Sequence, residues 1–319
     1  MTGGTAKATV RVPATSANLG PGFDTLGLAL GLHDEIEAEI LESPGIDIAV
    51  EGEGAGELDL GEGHLIVTTM RATFDRMGLP QPRGIRLRCL NRIPHARGLG
   101  SSSAAICAGI LAARALAATP YARPGRDHPP GPPELTDDGV LALATGIEGH
   151  PDNVAPCLAG GLTVAWTDAG GVPHLVRLLP HEAVRPVVLV PAHRLSTETA
   201  RGLLPKEVPH ADAAANAGRA ALLVAALTAR PEPGLLLAAT EDRLHQDYRA
   251  PAMPHTADLV RRLRGAGVAA VVSGAGPTIL ALSTVNTQDL IAPEVGNDWH
   301  IQPLEVETRG ARVVSLETR

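Results

Sequence analysis

A glycine-rich segment between a predicted strand and a predicted helix is the feature that most constrains the fold of this chain. Upstream of it, Ile85, Leu87 and Cys89 alternate with arginines, which is the period of a half-buried strand. Downstream, an alanine-rich helix is predicted over about 102–118. The segment between them reads Pro94-His95-Ala96-Arg97-Gly98-Leu99-Gly100-Ser101-Ser102-Ser103-Ala104-Ala105. The pattern therefore predicts a strand, a tight loop and a helix N-terminus in direct succession.

This succession is typical of an anion site. Glycines let the backbone approach a ligand closely, and the unpaired N–H groups and partial positive charge of the following helix attract phosphates. The alternative is an ordinary helix N-cap after a tight turn, a role that serine and glycine fill in many proteins without a ligand. No Gly-Lys-Ser/Thr follows, and Gly98-Leu99-Gly100 lacks the third glycine of a dinucleotide fingerprint. The loop therefore matches neither of these two common phosphate motifs.

Composition limits what the chain can bind. Only 2% of its residues are aromatic and its formal net charge is −8, so it lacks both the stacking platforms and the broad basic surface of a nucleic-acid-binding protein. No segment approaches about 18 consecutive apolar residues, and the first residues lack the basic and apolar regions of a secretory signal. We therefore expect a cytoplasmic protein that binds neither nucleic acid nor membranes.

The order of the predicted elements indicates an α+β protein. Helices and strands are mixed without regular βαβ alternation, and 319 residues are enough for two ordinary domains. Six prolines and two glycines mark residues 119–133 as an exposed, irregular insertion. We expect a first domain over residues 1–175, which contains this insertion, and a second domain over residues 176–319.

Four segments together resemble the motifs of the GHMP kinases, a family named for galacto-, homoserine, mevalonate and phosphomevalonate kinases. The loop at 94–105 is similar to the ATP-phosphate loop of that family. The segment at 12–27, VPATSANLGPGFDTLG, and the segment at 273–278, SGAGPT, resemble its first and third motifs in their homoserine form. The segment at 148–156, EGHPDNVAP, agrees as well, so the matches run in family order from residue 12 to residue 278.

The resemblance implies a two-lobed fold, with an N-terminal lobe like ribosomal protein S5 and a C-terminal α/β sandwich lobe. It also implies an ATP-dependent phosphotransferase that requires Mg²⁺ and phosphorylates the side-chain hydroxyl of L-homoserine, a step of threonine biosynthesis. A homodimer is expected because relatives are often dimers. The residues that would bind the nucleotide are Pro94, Arg97, Gly98, Leu99, Gly100, Ser101, Ser102, Ser103 and Ala104. One departure is His64, where relatives commonly carry Asn near the nucleotide base.

Homoserine carries a carboxylate, an ammonium and a terminal hydroxyl, so its pocket should offer planar cationic forks and an acid. By resemblance, Asn18 and Asp24 would hold the amino-acid end and the hydroxyl, while Arg201 and Arg249 would bind the carboxylate. The remaining pocket residues would be His150, Asn153, Thr197 and Gly274. Taken without the family, an arginine is more often a solvated surface group and a histidine such as His150 is more often structural.

For the metal, Glu148 and Ser102 are the candidate ligands, with Ser101 as the alternative serine, because Mg²⁺ prefers oxygen donors. The catalytic residues implied by the resemblance are Asn153, Glu148 and Ser102. The amide of Asn153 cannot act as a general base. The implied mechanism is therefore direct in-line transfer driven by positioning and charge stabilisation, with no covalent phosphoenzyme.

Two other functions stay open at this point. One is a GHMP kinase for a mevalonate-like hydroxy acid, although such an acceptor has no ammonium and so has little use for Asp24. The other is a catalytically inactive GHMP-fold protein that only binds a ligand. Glu148, Ser101 and Ser102 argue against that second alternative, because a protein that only binds its ligand has no need of them.

Overall fold

The computed structural model describes residues 6–119, 135–285 and 287–318. The strands, in chain order, are β1 Ala6–Ala17, β2 Leu26–Leu41, β3 Gly45–Gly52, β4 Gly84–Asn91, β5 Leu162–Thr167, β6 Pro173–Leu178, β7 Arg185–Pro191, β8 Ala270–Val272, β9 Ile279–Ser283, β10 Trp299–Pro303 and β11 Arg312–Thr318. The helices are α1 Leu65–Arg76, α2 Ser101–Ala117, α3 Asp137–Glu148, α4 Val154–Ala159, α5 Thr197–Gly202, α6 His210–Thr228, α7 Pro233–Ala239, α8 Gln246–Arg249 and α9 Pro254–Gly265. The predicted insertion at 119–133 lies outside the described residues except for its first residue.

The first sheet is built around the long strand β2. Its strand order is β11-β1-β2-β4-β3, and β5 pairs with both β2 and β6. The pairs are antiparallel except for β3 and β4, which are parallel and are connected through α1. In β1, Ala8, Val10 and Val12 alternate with more polar residues and are fully buried against the helices.

Helix α2 occupies the centre of the first lobe. It contacts β1, α1, α3 and α4, and this explains why its sequence is apolar on nearly all sides rather than on one stripe. Small residues let its neighbours come close: a Cβ at Gly109 would lie 2.9 Å from the Thr69 Cβ of α1. The helix that begins at the glycine-rich loop is therefore held rigidly from several sides.

The second sheet, of order β10-β7-β9-β8, has helices on both faces. Along β7, Val187 and Leu189 pack with Leu259 and Leu263 of α9, whereas the alternating Val188 belongs to the core shared with α6 and α7. That larger core is continuous with the core of the first sheet. The two sheets with their helices confirm the predicted α+β class.

Sheet membership does not follow the predicted division at residues 175 and 176. Strand β6 crosses that position, and β11, which we assigned to the second domain, pairs with β1 in the first sheet. A hairpin or edge strand can return to a distant sheet because backbone pairing needs only a free strand edge. The division into two domains at this position stays a prediction. The structure shows in addition that the last described strand, β11, belongs to the first sheet.

No described helix is both long enough and apolar enough to cross a membrane.

Asp34 anchors the chain where β4 enters the glycine-rich loop. Its Oδ1 accepts hydrogen bonds from the backbone N–H groups of Arg92 (2.6 Å) and Ile93 (2.9 Å). The side chain is only 5% exposed. Burial raises the pKa of Asp34 to about 6, against the opposing effect of the two N–H donors. The carboxyl therefore holds the backbone in place just before the glycine-rich loop. At neutral pH this arrangement buries a charge, which destabilises the folded state.

We expect this cost to appear as a pH dependence of stability. Below pH 3.8 the carboxyl is neutral in both states, and above about pH 6 it is ionised in both, so the folded state is penalised only at the higher pH. A shift of about two units corresponds to about 3 kcal/mol. In urea unfolding at pH 4 to 7, wild type should therefore gain about 3 kcal/mol relative to Asp34→Asn as the pH falls. Asp34→Asn keeps the acceptor oxygen and has no titration.

The exposed Asp138→Asn variant is the matched control and should run parallel to wild type over the same range. If Asp34→Asn also runs parallel to wild type, the carboxyl of Asp34 has an ordinary pKa in the folded protein and the explanation is wrong.

Candidate active site

Three loops meet beside the N-terminus of α2. They are the end of β1 with the segment that follows it, the glycine-rich loop between β4 and α2, and the loop between β8 and β9. The backbone hydrogen bonds that join them are Thr15 N to Leu99 O (3.0 Å), Gly274 N to Ala17 O (3.0 Å) and Thr278 N to Arg97 O (3.2 Å). Three of the four motifs of the sequence are thus brought into direct contact from positions far apart in the chain.

Two glycines of the glycine-rich loop occupy positions where a side chain does not fit. Gly98 and Gly100 have φ of 76° and 70°, in the left-handed region that favours glycine. A Cβ at Gly98 would lie 2.2 Å from Ser273 O, and a Cβ at Gly100 would lie 2.0 Å from Thr15 Oγ1. The glycines therefore serve both the turn and the close approach of the neighbouring loops.

Helix α2 begins without a side-chain cap. Its N-cap is Gly100, and no acidic residue lies in its first turn. Side chains cap α1, α3 and α5, through His64, Thr136 and Ser196, whereas α4 and α6 to α9 begin without a side-chain cap, as α2 does. The backbone donors at the start of α2 are thus not satisfied by a capping side chain, which is the arrangement that suits a bound anion.

A cavity of about 320 Å³ opens at this point. The predicted site residues that line it are Asn18, Gly98, Gly100, Ser101, Ser102, Glu148, His150, Asn153, Thr197, Arg201, Arg249 and Gly274. Residues that line it and were not predicted are Ala96, Asp152, Leu195, Ser196 and Ala275. The cavity therefore collects residues from all four motifs and from helices α5 and α8, which carry Arg201 and Arg249.

The other predicted residues are placed around the cavity rather than on its wall. Leu99 and Ala104 are buried in the core. Pro94 lies in the glycine-rich loop, and Ser103 lies in the first turn of α2. The guanidinium of Arg97 donates to the carbonyls of Pro191 (3.0 Å) and Ala192 (2.9 Å). Arg97 therefore ties the glycine-rich loop to the end of β7.

Glu148 reaches the first turn of α2 from the last residue of α3. Its Oε1 accepts hydrogen bonds from the hydroxyls of Ser102 (2.7 Å) and Ser103 (2.8 Å). The described residues contain no cluster of three or more His, Cys, Asp or Glu that could hold a metal ion. The donors that do converge here are a carboxylate and serine hydroxyls, which are all oxygen and fit the preference of Mg²⁺ for one or two protein oxygens beside phosphate and water.

Asn153 is oriented by a residue that sequence analysis missed. Thr15 Oγ1 donates to Asn153 Oδ1 at 2.8 Å. Because this bond occupies the carbonyl oxygen, the amide nitrogen of Asn153 is the group left to donate. Thr15 lies inside the first motif, but nothing in its neighbourhood in the sequence indicates a partner 138 residues away.

His150 and Asp152 form a close pair in the cavity wall. His150 Nδ1 lies 2.5 Å from Asp152 Oδ1, and Asp152 is 2% exposed. The hydrogen bond to Asp152 raises the pKa of His150, while partial burial opposes the shift. The carboxylate of Asp152 is thus occupied by its hydrogen bond with His150.

Asp24 and Arg201 form an ion pair at the rim of the cavity. Arg201 Nη2 and Nη1 donate to the two carboxylate oxygens of Asp24 at 2.8 and 3.3 Å. Burial lowers the pKa of Arg201, but the hydrogen bond and charge of Asp24, together with the charge of Asp152, outweigh this effect and the net shift is upward. The predicted acid and one of the two predicted arginines therefore lie side by side.

Asn18 joins two of the three loops. Its Nδ2 donates to Gly274 O (2.9 Å) and its Oδ1 accepts from the backbone N–H of Asp24 (3.0 Å). Both Asn18 and Asp24 have positive φ, at 69° and 53°. Strained backbone of this kind persists where surrounding contacts impose it, and it concentrates at functional sites. Asn18 thus positions the backbone that carries Asp24.

Arg249 is 1% exposed and still lines the cavity. Its guanidinium donates to Gly274 O (3.3 Å) and Ala200 O (3.4 Å) and lies over the ring of Phe23, 5.5 Å from the centroid. Burial, helped by the nearby charge of Arg201, lowers the pKa of Arg249. A buried cation at the wall of a polar cavity is poised to pair with an anionic ligand group.

Comparison with known proteins agrees with this geometry. Residues 64–161 match the family description "GHMP kinases N terminal domain", and residues 223–300 match "GHMP kinases C terminal". These segments contain the glycine-rich loop, Glu148, Asn153, Arg249 and the loop at 273–278. The chain belongs to the GHMP kinases.

The relatives narrow this class. The homoserine kinase of Streptomyces coelicolor is 56% identical over 97% of this chain and 95% of its own length. That of Streptomyces avermitilis is 56% identical over 96% and 95%. The crystal structure of homoserine kinase from Cytophaga hutchinsonii covers 97% of both chains with a TM-score of 0.78 and 25% identity. Within the GHMP kinases, the chain belongs to the homoserine kinase family.

Proposed function

We propose that this protein transfers the γ-phosphoryl group of ATP to the side-chain hydroxyl of L-homoserine, forming O-phospho-L-homoserine. The observation that carries the proposal is a single cavity with two sets of groups on its wall. The first set, which we call the phosphate end, is the uncapped start of α2 with Ser102 and Glu148. The second set, which we call the acceptor end, includes Arg249. A phosphate donor and a carboxylate-bearing acceptor can therefore lie side by side, which is what direct transfer requires.

At the phosphate end, the glycine-rich loop and the backbone N–H groups of α2 would bind the phosphates of ATP. Mg²⁺ would be held by Glu148 and Ser102, and when bound it neutralises charge on the transferring phosphoryl group. Ser103 donates to the same carboxylate oxygen as Ser102 and so fixes the orientation of Glu148. These groups together stabilise charge without moving during the reaction.

At the acceptor end, Arg249 and Arg201 would bind the carboxylate of homoserine and Asp24 would bind its ammonium. Asn153, held by Thr15, would direct its amide N–H toward the acceptor, and His150 and Thr197 would complete the pocket. No side chain in this set needs to remove the hydroxyl proton early, because the transition state of phosphoryl transfer is loose. We further propose that the protein works in the cytoplasm, as its sequence predicts, and as a homodimer, as the family resemblance suggests.

Acceptor analogues test the proposal directly. With Mg-ATP, ADP release should be fastest with L-homoserine, and its kcat/KM should exceed those of L-serine, mevalonate and galactose by at least about 100-fold. Two analogues separate the ionic contacts: 3-amino-1-propanol lacks the carboxylate and 4-hydroxybutanoate lacks the ammonium. Each should lose about 100-fold or more, because a site built for an ion is left unpaired.

A preference for mevalonate or galactose would contradict the proposed acceptor. If no ADP is released from ATP with any of these acceptors, the protein instead binds its ligand without catalysis.

A further inference from the structure

His245 is a fully buried histidine that lies directly behind Arg249. It is the residue before α8, and Arg249 follows one helical turn later with its backbone N–H bonded to His245 O at 3.1 Å. The exposed fraction of His245 is 0%, and it is not among the residues that line the cavity. Its side chain therefore acts on a ligand only through another residue.

The two ring nitrogens of His245 have partners of opposite kind. Nε2 lies 2.8 Å from the carbonyl oxygen of Gly20, which can only accept, so Nε2 carries the hydrogen. Nδ1 lies 3.1 Å from Arg249 Nη1, which can only donate, so Nδ1 is the unprotonated acceptor. The environment thus defines one neutral tautomer.

Burial keeps the ring in this neutral state, although two carboxylates lie near it. Asp242 Oδ2 is 3.6 Å from Nε2, Asp24 lies within electrostatic reach, and Phe23 stacks on the ring with centroids 5.1 Å apart. Burial is the main reason that the pKa of His245 is lowered; Asp242 opposes the shift and Arg249 adds to it. A proton on Nδ1 would place two donors against each other and break the contact with Arg249.

This contact restricts how Arg249 can point. Nη1 donates to His245 and Gly274 O, and Nε donates to Ala200 O at 3.4 Å, the longest of the three bonds. Among the described residues, no acceptor is hydrogen bonded to Nη2. The guanidinium is therefore held by Nη1 and Nε, which leaves Nη2 as the donor for a ligand.

We propose that His245 is a positioning residue that holds Arg249 in the orientation needed to bind the carboxylate of the acceptor. The proposal rests on the proposed function, since it assumes an acceptor with a carboxylate. His245 would act as an acceptor from Arg249, anchored by its own bond to Gly20 O, and Phe23 would keep both side chains in register from one face.

Two substitutions separate the roles of the two nitrogens. In His245→Asn, the amide oxygen lies near the position of Nδ1 and still accepts from Arg249. In His245→Gln, the amide nitrogen reaches the position of Nε2 and still donates to Gly20 O, but Arg249 loses its acceptor. We expect His245→Gln to raise the KM for L-homoserine about 10- to 100-fold, with kcat and the KM for ATP within about threefold of wild type, whereas His245→Asn should recover most of the homoserine KM.

The carboxylate-free acceptor 3-amino-1-propanol provides the readout that a purely structural role would not produce. Arg249 has no carboxylate to bind in this compound, so its kcat/KM should be the same in wild type and His245→Gln within about twofold. If His245→Gln impairs both acceptors equally, or if the Asn and Gln variants behave alike, His245 has no such role. A wild-type protein that does not phosphorylate L-homoserine contradicts the proposed function itself, and with it the role of His245.

A spectroscopic measurement tests the proposal without the Gln variant. With ¹⁵N-labelled histidine, the ring nitrogens of His245, assigned by comparison with His245→Asn, should show the neutral Nε2–H tautomer at pH 7. A protonated ring or the Nδ1–H tautomer at that pH would contradict the proposal even if His245→Gln failed to fold.

Discussion

Glu148→Gln should reduce kcat/KM by at least about 100-fold, because it removes a charge from the phosphate end of the site and leaves the shape of the side chain unchanged. The amide oxygen of Gln can still accept from Ser102 and Ser103, so the contacts between α2 and α3 should persist. The concentration of Mg²⁺ needed for half-maximal rate should rise as well. Steady-state ADP release, measured over a magnesium titration, gives both quantities.

Stability should respond in the opposite sense. Glu148 is the last residue of α3, where a negative charge is unfavourable because the helix C-terminus is itself partly negative. We therefore expect the melting temperature of Glu148→Gln to equal or exceed that of wild type. Asp138→Asn, which removes an exposed carboxylate from the start of the same helix, is the control and should keep full activity. A loss of less than about fivefold in Glu148→Gln would remove Glu148 from the catalytic machinery.

Arg249→Lys should impair use of the acceptor and spare the nucleotide. Lysine keeps the positive charge but cannot hold the fork that bonds Gly274 O, Ala200 O and a carboxylate together. Hydrogen bonds to charged groups contribute about 1.5 to 3 kcal/mol each, so kcat/KM for L-homoserine should fall about 100-fold. The KM for ATP should stay within about threefold of wild type, because no phosphate-end contact is changed.

Arg264→Lys is the matched control for this variant. Arg264 is partly buried, less completely than Arg249, and it likewise donates to backbone carbonyls, at Leu237 (2.8 Å) and Ala270 (3.3 Å), but it lies outside the cavity. It should lose stability by an amount similar to Arg249→Lys and keep its kinetic constants. Equal kinetic losses in the two lysine variants would show that packing, and not contact with the acceptor, explains the effect.

The parts of the fold that sequence predicted best are those whose signal is local. Helix α2 was predicted from about residue 102 and begins at Ser101, because a glycine loop and an alanine-rich run mark its start and body. Strand β4 was predicted from alternation that the sheet preserves, with Ile85 and Leu87 fully buried. Both elements owe their form to residues within a few positions of one another.

Elements that depend on distant partners were missed. Strand β11 has Val314 and Leu316 almost half exposed, so it shows no alternation of buried and exposed residues. The beginning of β2, at residues 26–30, is apolar without alternation because both of its faces are covered. In each case tertiary packing, rather than the local pattern, decides the structure.

The site shows the same division. The cavity residues that carry motifs were predicted because the family resemblance supplies their roles, and the structure brings most of them together. Thr15 and His245 were not predicted, since each acts by orienting one other residue, Asn153 or Arg249. For Thr15 that partner is 138 residues away, and for His245 the second anchor, Gly20 O, is 225 residues away. Such positioning residues become visible only in the folded chain.

The pairing of β11 with β1 has a consequence for biosynthesis. β1 is the first described strand to be synthesised and β11 is the last. Until β11 is available, the edge of β1 that pairs with it stays unpaired. Unpaired strand edges template association with other chains, and N-terminal domains otherwise tend to fold during synthesis. The first sheet is therefore completed only when β11 has been synthesised and has paired with β1, and the interval before this is when nascent chains most need protection by chaperones.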